Sequence, residues 1–160
     1  MREPLDAVRD HLVRVLDWED AHVGFDKAVG ELPAHARGER PFGFEHSPWE
    51  LLEHIRIAQD DILDFCVNAQ YSHDLAWPGD YWPKSAAPPD DAAWEASIAA
   101  CLRSRGELQR LAREVPDLAA AVPTGKPEQT YLRAILLAAD HVAYHVGQIV
   151  AVRRALGVWG

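Results

Sequence analysis

His141 and His145 stand one helical turn apart in an otherwise apolar stretch, Tyr131-Leu-Arg-Ala-Ile-Leu-Leu-Ala-Ala-Asp-His-Val-Ala-Tyr-His-Val-Gly-Gln-Ile-Val150. Helical side chains four residues apart project from nearly the same face, so both imidazoles can reach one metal ion without bending the backbone. His54 falls at the matching apolar face of an earlier helical segment. Three nitrogen ligands that leave a coordination position open give a metal able to do chemistry. A lone histidine on an apolar face is usually a core residue bonded through its ring nitrogens, and this chain has eight histidines. Three buried imidazoles without a common partner would leave several donors and acceptors to satisfy, at about 1–3 kcal/mol each. One cation satisfies them together. On spacing alone, a shared ion and separate core roles both remain open.

Long helices must carry these residues. The first segment runs from about Leu5 to Val29, with Leu5, Val8, Leu12, Val15, Leu16 and Val23 spaced by three and four, and Gly30 as a stop. Ser47-Pro48-Trp49-Glu50 opens the second with an N-cap serine, a proline at the first helical position and a glutamate that closes a capping box. That helix aligns Leu51, Ile55, Ala58, Ile62 and Phe65, with His54 inside the stripe. The third begins at Asp90 or Asp91, presents Trp94, Ile98, Cys101, Leu108, Leu111 and Val115, and ends at Pro116. The fourth starts between Lys126 and Thr130 and carries Ile135, Ala138, His141, Val142, His145, Gln148, Ile149 and Val152 along one face to a stop at Gly157. No Val/Ile/Thr run alternates with period two, so the class is all-α, most simply a four-helix bundle with long crossover loops. The crossover at 71–89 is dense in aromatics and prolines. Loops of such length often act as lids, but Trp77, Tyr81 and Trp82 are read first as anchors against the bundle.

Length and composition fit a single domain over 1–160, with 48% apolar and 26% charged residues. A net charge of −9 argues against nucleic acid or an anionic membrane as the main partner, because both select for clustered cations. The N-terminal residues lack a basic stretch followed by an apolar one, and no stretch is read as a membrane span, so a cytoplasmic location is expected. Cys66 and Cys101 lie in helical patterns and read as reduced core residues. Several metal templates are missing. His141 is followed by Val142 rather than glutamate, no glutamate lies in the apolar part of the fourth helix, and cysteines are too few for a structural zinc site.

The string His46-Ser-Pro-Trp-Glu-Leu-Leu-Glu-His54, then Trp77-Pro and Tyr81-Trp-Pro83, then Asp140-His-Val-Ala-Tyr-His145-Val-Gly-Gln148 and Arg153-Arg-Ala-Leu-Gly157, resembles the DinB/YfiT-like superfamily of metalloenzymes, unrelated to the DNA polymerase that shares the DinB name. The resemblance covers nearly the whole chain. It implies a four-helix bundle holding one divalent metal ion, commonly nickel or zinc, on a histidine of the second helix and a His-x-x-x-His pair of the fourth, which here are His54, His141 and His145. It also implies a homodimer and, by analogy with members that use bacillithiol or mycothiol, a low-molecular-weight thiol as cosubstrate. The substrate and the catalytic residues stay open.

Other residues are candidates of lower rank. His22 could add a fourth ligand or a proton shuttle, although a surface or core role is the simpler reading. Trp49, Trp82 and Tyr144 are candidates for a pocket wall, and Gln148 for a hydrogen bond to bound water or substrate. Asp61 could accept the outer N–H of a ligating histidine. His46 belongs to the turn before Ser47, and His11, His35 and His73 fit no pattern. Arg56 or Arg133 could hold an acidic thiol, while Glu50 or Asp61 could serve as the base for metal-dependent hydrolysis. A metal-stabilised bundle that binds a small molecule or a partner chain is the non-enzymatic alternative.

Overall fold

The strongest punctuation in the chain sets its helices. Ser47 caps the N-terminus of one: its hydroxyl accepts from Glu50 N at 3.2 Å, and the Glu50 carboxylate accepts from Ser47 N at 2.8 Å. Asp90 and Thr130 cap two more by accepting from Ala93 N and Arg133 N. Gly157, at φ +71, takes the left-handed position after the last helix. The computed structural model describes residues 4–160, and its helices are α1 (Pro4–Val15), α2 (Phe25–Val29), α3 (Pro48–Val67), α4 (Asp91–Glu114) and α5 (Tyr131–Ala155). Short 3-10 turns lie at Ala34–Ala36 and Gly79–Tyr81, and no strand occurs among the described residues.

The expected first helix, Leu5 to Val29, is instead two helices. Its break contains Asp17, Glu19 and Asp20, acidic residues at the end of α1 where the helix dipole disfavours them. Arg105 of α4 fixes the break from outside, reaching Asp17 at 2.8 Å and Asp26 at 3.2 Å. Only Leu12 and Leu16 of the predicted stripe are buried, while Leu5 and Val8 are exposed. α3 begins at the expected Ser47 cap, α4 and α5 follow their expected ranges, and α3 and α5 turn the expected stripes inward at Leu51, Ile55, Ile135, Ile149 and Val152.

α3 packs against α4 on one side and α5 on the other, and α1 rests mainly on α4. The C-terminal end of α3 meets the start of α5, since Phe65 and Cys66 cluster with Ala134 and Tyr131. Its beginning meets the other end, where Leu51 and Leu52 cluster with Ile149 and Val152. The two helices are therefore antiparallel, and their seam is long. One expectation changes here: α5 alone among the described residues has the length and hydropathy that would allow a membrane crossing. Its buried apolar residues are shared between that seam and the contact with α2, while Leu136 and Leu137 stay exposed.

Arg153, near the end of α5, is buried and forms no ion pair with a carboxylate among the described residues. Its guanidinium donates to the carbonyls of Ala28 and Gly30 at 2.8 Å each, closing the C-terminus of α2, and to Val158 O, with the Trp159 ring beneath it. Carbonyl oxygens at a helix end carry partial negative charge, so they suit a buried cation. Arg153→Met should leave those carbonyls unpaired and cost on the order of 2–3 kcal/mol. Urea unfolding of the variant checks this, and a midpoint equal to the parent's would show that water replaces the guanidinium freely.

Candidate metal centre

His54 comes from the middle of α3, and His141 and His145 from successive turns of α5 across the seam. The helix register brings their potential ligand atoms within 4.8 Å of one another. His54 and His145 are buried and His141 is half-buried. The Nε2 atoms of His54 and His141 stand 3.0 Å apart. Two nitrogens that each lie about 2.0–2.1 Å from one ion are separated by roughly 3–3.5 Å, so this pair is already at ligand spacing.

The outer nitrogens fix which atom faces inward. His54 Nδ1 donates to the Tyr81 carbonyl at 2.8 Å, and His145 Nδ1 to the Gln148 side-chain oxygen at 2.6 Å. An oxygen of either kind only accepts, so Nδ1 carries the proton and Nε2 is left with its lone pair. Burial, reinforced by the neighbouring imidazoles, lowers His141 to about 4. It lowers His145 to about 4 as well, against the opposing effect of the Gln148 hydrogen bond, and also lowers His54. Metal-binding imidazole must be neutral. Three neutral rings with ligand atoms at this spacing could hold a divalent ion.

Aromatic packing holds the rings in place. Trp82 stacks on His54 with centroids 3.9 Å apart and planes 2° from parallel, and His46 stacks on Trp82 at the same separation. Trp82 also meets the edge of His145. The crossover is thus anchored by Tyr81 and Trp82, whereas Trp77 remains exposed. Tyr144 is exposed beside the His145 ring, and Gln148 Nε2 donates weakly to its hydroxyl at 3.4 Å.

Several expected roles change. Asp61 does not take the outer N–H of His54, because the Tyr81 carbonyl does. Its two oxygens accept instead from Tyr71 at 3.0 Å and Tyr81 at 2.6 Å, so it steadies the residue that steadies His54. Gln148 orients His145 instead of reaching toward an open position. Trp49 is not a pocket wall but a core residue against Trp94, its indole N–H without a hydrogen-bond partner among the described residues. His22 is exposed, bonds the Val23 carbonyl and stands outside the three-histidine group. Arg56 is held by Glu53 and Asp60. Glu50 is taken by its cap and by Arg40. Burial pushes the Cys66 and Cys101 thiols up to about 11 and about 12, so both are inert core groups. Nothing in the sequence pointed to the Tyr81 carbonyl, since every residue carries one.

Two measurements follow. An unfolded chain protonates these imidazoles below about pH 6.5, whereas the folded chain resists until near pH 4 for His141 and His145. With metal chelated, stability should be full above the unfolded value and decline steadily as pH falls toward the folded one. Urea midpoints at about pH 7.5 and about pH 5 test this, and equal midpoints in a chain whose His141 is intact would contradict it. Gln148→Leu, which removes the acceptor for His145, should weaken divalent-metal affinity about 10–100-fold in competition with an indicator dye. Unchanged affinity would assign Gln148 to packing alone.

A sequence model of the DinB superfamily matches residues 17–149, a span that contains all three histidines and the Trp82 anchor. Comparison with curated proteins returns no match, and neither does comparison with solved structures. With the family pattern running from the α1–α2 break through most of α5 and its histidines converging at the α3–α5 seam, the chain belongs to the DinB superfamily.

Proposed function

We propose that this chain is a metal-dependent enzyme of the thiol S-transferase type, acting on a small molecule with one divalent ion, nickel or zinc, held by His54, His141 and His145. The observation that carries the reading is the convergence of three neutral imidazoles with Nδ1 of two of them tied to oxygen acceptors. An ion there would favour the thiolate form of a small thiol, which is the nucleophilic form. The protein's own part is to fix the ring tautomers through Tyr81 and Gln148, to cover His54 with Trp82, and to leave exposed Tyr144 at the rim where a ligand would arrive.

Hydrolysis is the weaker reading, because the carboxylates expected to serve as base are committed. Glu50 belongs to the Ser47 cap and Arg40, and both Asp61 oxygens take tyrosine hydroxyls. The wider proposal is a single domain whose α1 and α2 together act as the first member of a four-helix bundle, in a cytoplasmic homodimer. Support for the dimer comes from apolar side chains left exposed on α1 and α5, namely Leu5, Val8 and Leu136. The net charge of −9 is the reason that neither nucleic acid nor a membrane is proposed as a partner.

Elemental analysis of tag-free protein, purified without a nickel column beside His141→Ala, is the first test. The expected result is about one divalent ion per chain, lost in the variant, with electrophile consumption that requires both metal and thiol. No metal in either protein after reconstitution would return the histidines to core roles. Metal without any thiol dependence would favour the metal-stabilised binding module, and sedimentation as a monomer would remove the dimer.

A further inference from the structure

Between α3, α5 and the crossover lies a hollow of about 400 Å³. Ile62, Phe65 and Leu137 give it apolar walls, and Asp61, Tyr71, His73, Thr124, Gln129 and Arg133 line the rest. The hollow and the histidine cluster share structural elements. Leu137 is one turn before His141 on α5, and the Tyr81 that bonds Asp61 through its hydroxyl bonds His54 through its carbonyl.

Arg133 is the uncommitted cation here. Its backbone N–H is capped by Thr130, but its guanidinium makes no ion pair or side-chain hydrogen bond among the described residues. Arg56, by contrast, is satisfied by Glu53 and Asp60. Arg133 also lies in the first turn of α5, where the helix dipole adds positive potential. The Asp61 carboxylate accepts from the Tyr71 and Tyr81 hydroxyls and forms no ion pair with Arg133. On a chain of net charge −9, a hollow that joins an apolar wall to a guanidinium without an ion pair suits an organic carboxylate.

We infer that this hollow binds the carboxylate end of the small molecule whose reacting end lies at the three histidines. Arg133 receives the carboxylate, and Ile62, Phe65 and Leu137 cover the connecting carbons. The inference rests on the metal-dependent reading above and adds a length requirement. Arg133 and His141 are eight positions apart on one helix, which is about 12 Å of rise. Arginine side chains on a helix lean toward its N-terminus, which lengthens the path. A thiol the size of cysteine cannot bridge that distance, whereas an elongated acidic thiol can.

Cobalt-loaded full-length protein provides the test, because a thiol reaching the ion changes its absorption spectrum. The probes are 8-mercaptooctanoate, 8-mercaptooctanol and 3-mercaptopropionate, titrated into wild type and Arg133→Gln. The expected result is that the long acid binds wild type roughly tenfold more tightly than the long alcohol, a gap typical of one charge-assisted contact. Arg133→Gln should close that gap without weakening the alcohol, and the short acid should bind both proteins equally. Equal binding of long acid and long alcohol to wild type, or a gap that survives in Arg133→Gln, overturns the inference. If no thiol alters the cobalt spectrum, the thiol reading fails and the hollow is judged separately by calorimetry with octanoate. Binding to wild type that Arg133→Gln abolishes would then sustain the carboxylate site, and equal or absent binding would overturn it.

Discussion

Burying three imidazoles side by side is the constraint that organises the α3–α5 seam. Each ring must be uncharged, because a protonated imidazole among two others in an apolar seam would be repelled and poorly solvated. Each must also present a lone pair in a defined direction. For two of the rings the surroundings set that direction: Nδ1 of His54 donates to a backbone carbonyl, and Nδ1 of His145 donates to an amide oxygen. The two oxygens set the tautomers, and burial outweighs their pull toward the protonated form.

The crossover between α3 and α4 is bound to that constraint. A long segment without regular structure would ordinarily be the most variable part of such a fold. Here Tyr81 contributes its carbonyl to His54 and its hydroxyl to Asp61, and Trp82 lies flat between His46 and His54. The segment therefore covers one side of the cluster and fixes its geometry together. α5 has a similar double duty. Its apolar residues build the core against α2 and α3, its two histidines face the seam, and Arg153 at its far end ties down α2 through carbonyl contacts.

Much of this was legible in the residues themselves. Ser47, Asp90, Thr130 and Gly157 punctuate the chain by local backbone chemistry, which needs no distant partner, so the start of α3 and the ranges of α4 and α5 could be read directly. The i, i+4 placement of His141 and His145 is equally local. The α1–α2 break was less visible, because Leu12, Leu16 and Val23 keep a helical spacing across it. What interrupts that spacing is an acidic stretch held by Arg105, nearly ninety positions away.

The sequence by itself determined the helical class, the start of α3, the ranges of α4 and α5 and which histidines could share a face, because periodicity and capping are properties of neighbours along the chain. Only the tertiary structure decided that His54 meets the α5 pair, that Asp61 serves two tyrosines rather than a histidine, that Gln148 orients His145, and that Arg133 is left uncommitted while Arg56 is not. Those outcomes depend on which donor or acceptor lies nearest after α3 and α5 pack antiparallel and the crossover closes over them. A hydrogen bond discriminates over tenths of an ångström. Residue order specifies which groups are available for such contacts, and packing selects among them.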